Sequence, residues 1–157
     1  MGKKIHGFPQ LKKIGIWFKT CFLINMKRNN IFIIDDDADD RKIILDAFKE
    51  DNPQVDYTFF ENAESFLKTL YSSTQLPDLI LLDLNMPGML GLQVLKELKS
   101  SRTYAVIPII ILTTSVREKD KQNAYEIGVN CFLQKPQSYS GFLHLTKAIL
   151  LLWFDIQ

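Results

Sequence analysis

The stretch PDLILLDLNMPGMLG, Pro77 to Gly91, decides how the chain folds. Leu79 to Leu82 are four consecutive apolar residues, the pattern of a short strand buried on both faces, as in a parallel sheet covered by helices. Asp83 follows at once. A lone ionised carboxylate is costly inside a core, so this position predicts a strand's carboxyl end, where open α/β sheets bind their ligands. Asn85, Pro87 and Gly88 then impose a loop, and helical spacing resumes at Leu92, Leu95 and Leu98.

The same grammar recurs on either side. Upstream, Ile31 to Ile34 is an apolar run ending in Asp35, Asp36 and Asp37, and Ile43, Ile44, Ala47 and Phe48 mark one face of the helix after it. Asp39 and Asp40 fall in that helix's first turn, where the helix dipole favours negative charge, and read as capping and solvation. Val55 to Phe60 is rich in strand formers, and Ala63, Phe66, Leu67 and Leu70 give a helical stripe. Downstream, Ala105 to Leu112 is an apolar strand with Pro108 near its start, and Thr113, Thr114 and Ser115 stand at its carboxyl end, one of them as a cap for the helix after Val116. Gly128 stops that helix, Cys131 to Gln134 forms a last strand before Lys135 and Pro136, and a final helix runs from about Ser138. Its polar stripe is Ser140, His144 and Lys147. Beyond Lys147 the helix is apolar nearly all round, so Leu150, Leu151, Trp153 and Phe154 are expected to include a surface for a partner or a second copy.

Five strand-then-helix units predict an α/β fold, a five-stranded doubly wound parallel sheet with helices on both faces. One domain suffices for 157 residues. Residues 1–25 stand apart: they hold five lysines and no acid, with Leu11, Ile14, Phe18 and Cys21 at helical spacing, a basic amphipathic extension. Met26, just before the first strand, reads as an ordinary start, which makes 26–157 the domain proper and leaves open whether the extension is native to it. Over 26–157 the 14 basic and 18 acidic side chains leave a mildly acidic body, which argues against a nucleic-acid surface. No segment has the length and apolarity of a membrane span. Two cysteines and two histidines without metal-type spacing predict reduced thiols and a cytoplasmic protein.

A parallel sheet gathers its strand ends on one edge, and the polar residues there are Asp35 and Asp36, Asp83, Thr113 and Lys135. Carboxylates brought together repel unless a cation joins them, and hard oxygen donors with an open coordination sphere suit Mg2+. Lys135 can neutralise phosphoryl oxygens and the Thr113 hydroxyl can donate to another, so the set points to phosphoryl transfer onto Asp83.

With those four stretches in order, the chain from about Lys27 to Phe154 resembles the receiver domains of two-component response regulators. The resemblance implies a flavodoxin-like strand order 2-1-3-4-5. It makes Asp83 the phosphoacceptor, and Asp36, Asp83 and the Asn85 backbone carbonyl the Mg2+ ligands beside Asp35. Thr113 and Phe132 become the switch pair, and the Lys135–Pro136 peptide is cis. It further implies a signalling protein rather than an enzyme. Its phosphodonor is a sensor histidine kinase or a phosphotransfer protein, and the DDDADDR turn and aromatic carboxyl end are similar to single-domain receivers that serve phytochrome-type kinases. Two departures are visible. Leu90 stands where the family usually has Asp before Gly91, which bears on loop capping, and Thr114 is bulkier than the usual small residue, which predicts slower loss of phosphate. Only three residues follow Phe154, so output is expected from the receiver surface itself.

Two other readings carry less. A haloacid dehalogenase-like phosphatase or phosphotransferase pairs its aspartate nucleophile with a second acid two residues on, where this chain has Asn85, and needs a cap domain. A flavodoxin-like cofactor module would place a phosphate against the acids of the first turn, which repel it.

Overall fold

The computed structural model describes residues 29–51 and 55–154, so the extension at 1–25 lies outside the described residues. Strands β1 (Asn30–Ile34), β2 (Asp56–Phe60), β3 (Leu79–Leu82), β4 (Ile109–Thr113) and β5 (Cys131–Gln134) alternate with helices α1 (Ala38–Asp51), α2 (Ala63–Ser72), α3 (Gly91–Ser100), α4 (Glu118–Ile127) and α5 (Tyr139–Phe154). The sheet is parallel throughout, in the order β2-β1-β3-β4-β5, with Ile31 opposite Leu79 and Ile80 opposite Ile109. The fold class is as expected from the sequence pattern, and the strand order is the one the resemblance implies.

Successive strand residues point to opposite faces, and here each face has its own core. Phe32, Ile34, Ile80, Leu82, Ile109 and Ile111 meet α2, α3 and α4 through Phe66, Leu70, Val94, Leu95, Leu98 and Ala124. Ile31, Ile33, Leu79, Leu81, Ile110 and Leu112 meet α1 and α5 through Ile44, Ala47, Phe48, Phe142, Ile149 and Leu150. The all-apolar runs of β1, β3 and β4 therefore satisfy two layers of helices at once, and the three strands sit in the middle of the sheet. Phe66 meets Phe32 and Phe60 edge to face in the first core and Phe32 is tilted against Phe60, with ring centroids 5.1 to 6.4 Å apart. Among the described residues no helix is long and apolar enough to cross a membrane.

Several local readings change. The fourth strand begins at Ile109, not Ala105. Upstream of Pro108 the backbone is spent on turns: the Ala105 N–H donates to the Ser101 carbonyl and the Ile107 N–H to that of Tyr104, while the Lys99 ammonium donates to the carbonyls of Ala105 and Ile107. No hydroxyl of Thr113, Thr114 or Ser115 caps α4, whose N-cap is Arg117; Ser115 instead accepts from the Arg117 N–H and donates to Asp120. Gly128 ends α4 as expected, at φ +108°, in the left-handed region open to glycine. The Lys135–Pro136 peptide is not cis, for no cis bond occurs among the described residues; trans is the lower-energy form before proline as elsewhere.

The last helix also sorts itself differently. Phe142, Thr146, Ile149 and Leu150 share the face turned to the sheet, so Leu150, at 3% exposure, belongs to the core and not to a partner surface. Trp153 and Phe154 pack partly against the same core. Leu151 and Leu152 are the exposed apolar pair, at 53% and 74%.

Candidate functional site

Strands β1, β3, β4 and β5 each deliver polar groups to the carboxyl edge, and backbone hydrogen bonds just past the strand ends hold those groups in place. The Asp35 N–H donates to the Phe60 carbonyl, the Asp83 N–H to that of Ile34 and the Lys135 N–H to that of Thr113, at 2.9 to 3.0 Å. The Arg41 guanidinium donates to the Asp35 carbonyl at 2.7 Å and pairs with Glu61 at 3.4 Å, bracing the first turn against the second. Glycine is required at 91: a Cβ there would lie 2.3 Å from the Asp83 carbonyl oxygen and 2.8 Å from Leu84 Cα. Helix α3 can thus start directly against the residue that carries the central carboxylate. With leucine at 90, the side chain of Gln93 takes over part of the capping by accepting the Leu90 N–H.

The site centres on the Lys135 ammonium. Lys135 Nζ lies 2.7 Å from Asp35 Oδ2, 2.7 Å from Asp40 Oδ2 and 2.8 Å from Asp83 Oδ2. Asp35, Asp83 and Lys135 are almost fully buried, at 2%, 5% and 6% exposure, while Asp36 is exposed. The other Asp35 oxygen accepts the Asp37 N–H and the other Asp83 oxygen accepts the Asn85 N–H. Burial pushes the Asp35 carboxyl up to about 6, and its bond to Lys135 offsets only part of that. Burial alone would lower the Lys135 pKa, but the hydrogen bonds to Asp35, Asp40 and Asp83 outweigh it and hold the ammonium above its ordinary value. Asp37 is held below the usual carboxylate range by the N–H groups of Asp40 and Asp39, as expected of the α1 N-cap.

Asp35, Asp36 and Asp83 each offer a carboxylate oxygen, and these atoms lie within 4.8 Å of one another. Hard donors in surplus over the single lysine they surround fit a divalent cation of the Mg2+ type, which takes one or two carboxylates and completes its octahedron with water. Thr113 is fully buried at the end of β4, its hydroxyl oxygen accepting from Asn85 Nδ2 at 3.3 Å and from the Ser115 N–H at 3.2 Å. Asn85 Nδ2 also reaches the exposed Thr114 hydroxyl at 3.3 Å. Phe132, half-buried on β5, packs against the core under α2 to α4. The structure therefore brings together Asp35, Asp36, Asp83, Asn85, Thr113 and Lys135 on one rim. Phe132 lies one strand over from Ile111, with which it is in register.

Asp40 is the residue that sequence reading passed over. Its carboxylate belongs to the site through Lys135 and does not simply solvate the helix end. The available signal was its place in the first turn of α1: side chains of a helix tilt toward its N-terminus, here toward the strand rim.

A sheet of this order with acids, a hydroxyl and a lysine on its carboxyl rim defines a phosphoryl-transfer signalling domain of the flavodoxin-like class. The chain belongs to the response regulator receiver domain family, whose pattern residues 31–147 match. Over 130 residues it is 30% identical to response regulator Rcp1 of Synechocystis sp., covering 80% of this chain and 88% of that protein. Among solved structures it is similar to the phosphorylated cyanobacterial phytochrome response regulator RcpA, with a TM-score of 0.77 and 30% identity over 83% of this chain and 97% of the other. It is also similar to the Mn(2+)-bound form of Rcp1, with a TM-score of 0.75 and 27% identity over 82% and 96% of the two chains. The response-regulator reading is thereby sustained over the dehalogenase-like alternative.

Proposed function

We propose that Asp83 accepts a phosphoryl group from a phosphohistidine of a sensor kinase or phosphotransfer protein. The observation that carries this is the Asp83 carboxylate held on a strand end at 2.8 Å from a buried lysine, among further acids that fit a divalent cation. In the transfer, a carboxylate oxygen of Asp83 attacks phosphorus, the P–N bond breaks, and the imidazole nitrogen keeps the electron pair and takes a proton from water. Mg2+, held by Asp36, Asp83 and the Asn85 carbonyl with Asp35 beside them, would supply charge compensation for the phosphoryl oxygens.

The remaining work falls to the chain's own groups. Lys135 stays protonated and donates to a phosphoryl oxygen. Thr113, whose hydroxyl oxygen already accepts two N–H bonds, retains its O–H to donate once it shifts toward the phosphate. Space vacated by that shift lets Phe132 turn inward, changing the face made by α4, β5 and α5. The exposed pair Leu151 and Leu152 on α5 supports a second copy of this chain as one reader of that face. The likeness to Rcp1 and RcpA supports a phytochrome-type kinase as the phosphodonor's class. A cytoplasmic, non-enzymatic role completes the reading; Cys131 is a free thiol whose pKa burial raises, as suits an inert reduced cysteine.

Incubation with phosphoramidate and Mg2+ tests the proposal by mass spectrometry. The expected result is one phosphoryl group per chain on the wild type and none on Asp83→Asn. Turnover of phosphate esters beyond one equivalent would support an aspartate-nucleophile phosphatase instead.

A further inference from the structure

An ammonium has three hydrogens to donate, and Lys135 already spends all three, on Asp35, Asp40 and Asp83. A phosphoryl oxygen arriving at Lys135 must therefore displace one of them. Asp83 is still a carboxylate when the phosphoryl group approaches and keeps its claim until the new bond forms. Asp35 is buried, and its second oxygen is fixed by the Asp37 N–H. Asp40 differs from both. Its side chain is 27% exposed, at the open end of α1, and can turn into water, where its charge is solvated.

We propose that Asp40 is a positioning residue for the transfer: it holds Lys135 in the unphosphorylated protein and is the partner that yields to the incoming phosphoryl group. The inference rests on the reading of Asp83 as phosphoacceptor. It assigns Asp40 a second consequence. The Asp40–Lys135 bond joins residues 95 apart in sequence, tying the first turn of α1 to the segment between β5 and α5. Phosphorylation would cut that tie directly, independently of the movement of Thr113.

The sign of the effect follows. Asp40 competes with phosphate for the same hydrogen and adds negative charge beside it, so Asp40→Asn should be phosphorylated faster by phosphoramidate at saturating Mg2+. Roughly a two- to fivefold rise is expected, the span of a partly exposed ion pair. The Mg2+ dissociation constant of the metal alone should stay within about twofold, because Asp40 is outside the oxygen cluster that fits the cation. The wild type supplies a readout that needs no variant: the Asp40 carboxyl carbon, followed by 13C NMR, should shift when trifluoroberyllate is added to the Mg2+-loaded protein. An unchanged or lower rate in Asp40→Asn, a large loss of Mg2+ affinity, or a carboxyl signal that does not move would each overturn the role of Asp40 while leaving Asp83 as acceptor. A wild type that takes up neither phosphoryl nor trifluoroberyllate would overturn both.

Discussion

In metal-free protein, Asp35→Asn should remove a pH dependence of stability that the wild type owes to one buried acid. Asp35 is 2% exposed and its pKa rises from 3.8 to about 6, chiefly through burial, with the Lys135 hydrogen bond opposing. The folded state thus holds the Asp35 proton more tightly than the unfolded chain does. Stability from this group is fully present below the unfolded pKa and is lost as pH rises through the folded one. The window runs from 3.8 to about 6. At 1.36 kcal/mol per pH unit, that interval amounts to about 3 kcal/mol. Urea unfolding of both proteins in EDTA, at steps from about pH 4 to about pH 7.5, gives the contribution as the difference between them, since acids remote from the Lys135 cluster cancel. That difference should move by about 3 kcal/mol in favour of Asp35→Asn as pH rises, and level off above about pH 7. Saturating Mg2+ should reverse the trend in the wild type, because a cation stabilises the ionised carboxylates that burial penalises. A difference that is flat in EDTA, or that moves in favour of the wild type with rising pH, would refute the assignment of a desolvated acid at this rim.

Gly91→Ala places a Cβ 2.3 Å from the Asp83 carbonyl oxygen, and because the obstacle is backbone the loop must shift; a loss of about 1–3 kcal/mol in urea unfolding is expected, with slower phosphorylation of Asp83. Phe66→Ala empties the ring cluster with Phe32 and Phe60 and should cost about 3–5 kcal/mol, read by the same assay, without changing Mg2+ affinity. Thr114→Ala removes an exposed side chain whose hydroxyl accepts from Asn85 Nδ2 at 3.3 Å, and phosphate loss from the labelled variant should be faster than from wild type; equal decay would sink that idea. If α5 joins two copies, Leu152→Glu should lower the sedimentation-derived mass of the trifluoroberyllate complex to that of a monomer, while the wild-type complex runs as a dimer.

How far the chain could be read depended on the range of the interaction concerned. The apolar runs 31–34 and 79–82 identify central parallel strands because a strand buried on both faces has no polar position to spare. The rim residues Asp35, Asp83, Thr113 and Lys135 could be placed together from topology alone, since every strand of such a sheet ends on the same edge. Leu150 could not be separated from Leu151 in this way. In a helix end that is apolar nearly all round, periodicity names no inner face, and only packing on Ile149's side of the sheet assigns it. The fourth strand's start is not legible for a related reason, as turn hydrogen bonds at Ala105 and Ile107 claim a segment whose composition alone suits a strand.

By itself the sequence determined the order of elements, the parallel sheet and the identity of the strand-end groups, because hydrophobic period and chain connectivity are local properties. The tertiary structure alone decided which of those groups touch. That Lys135 binds Asp40, 95 residues away, follows from how α1 is seated on the sheet and from the direction its first turn presents. No spacing in the chain encodes that distance, for it is set by the packing of one helix against a sheet whose last strand carries Lys135 at its end.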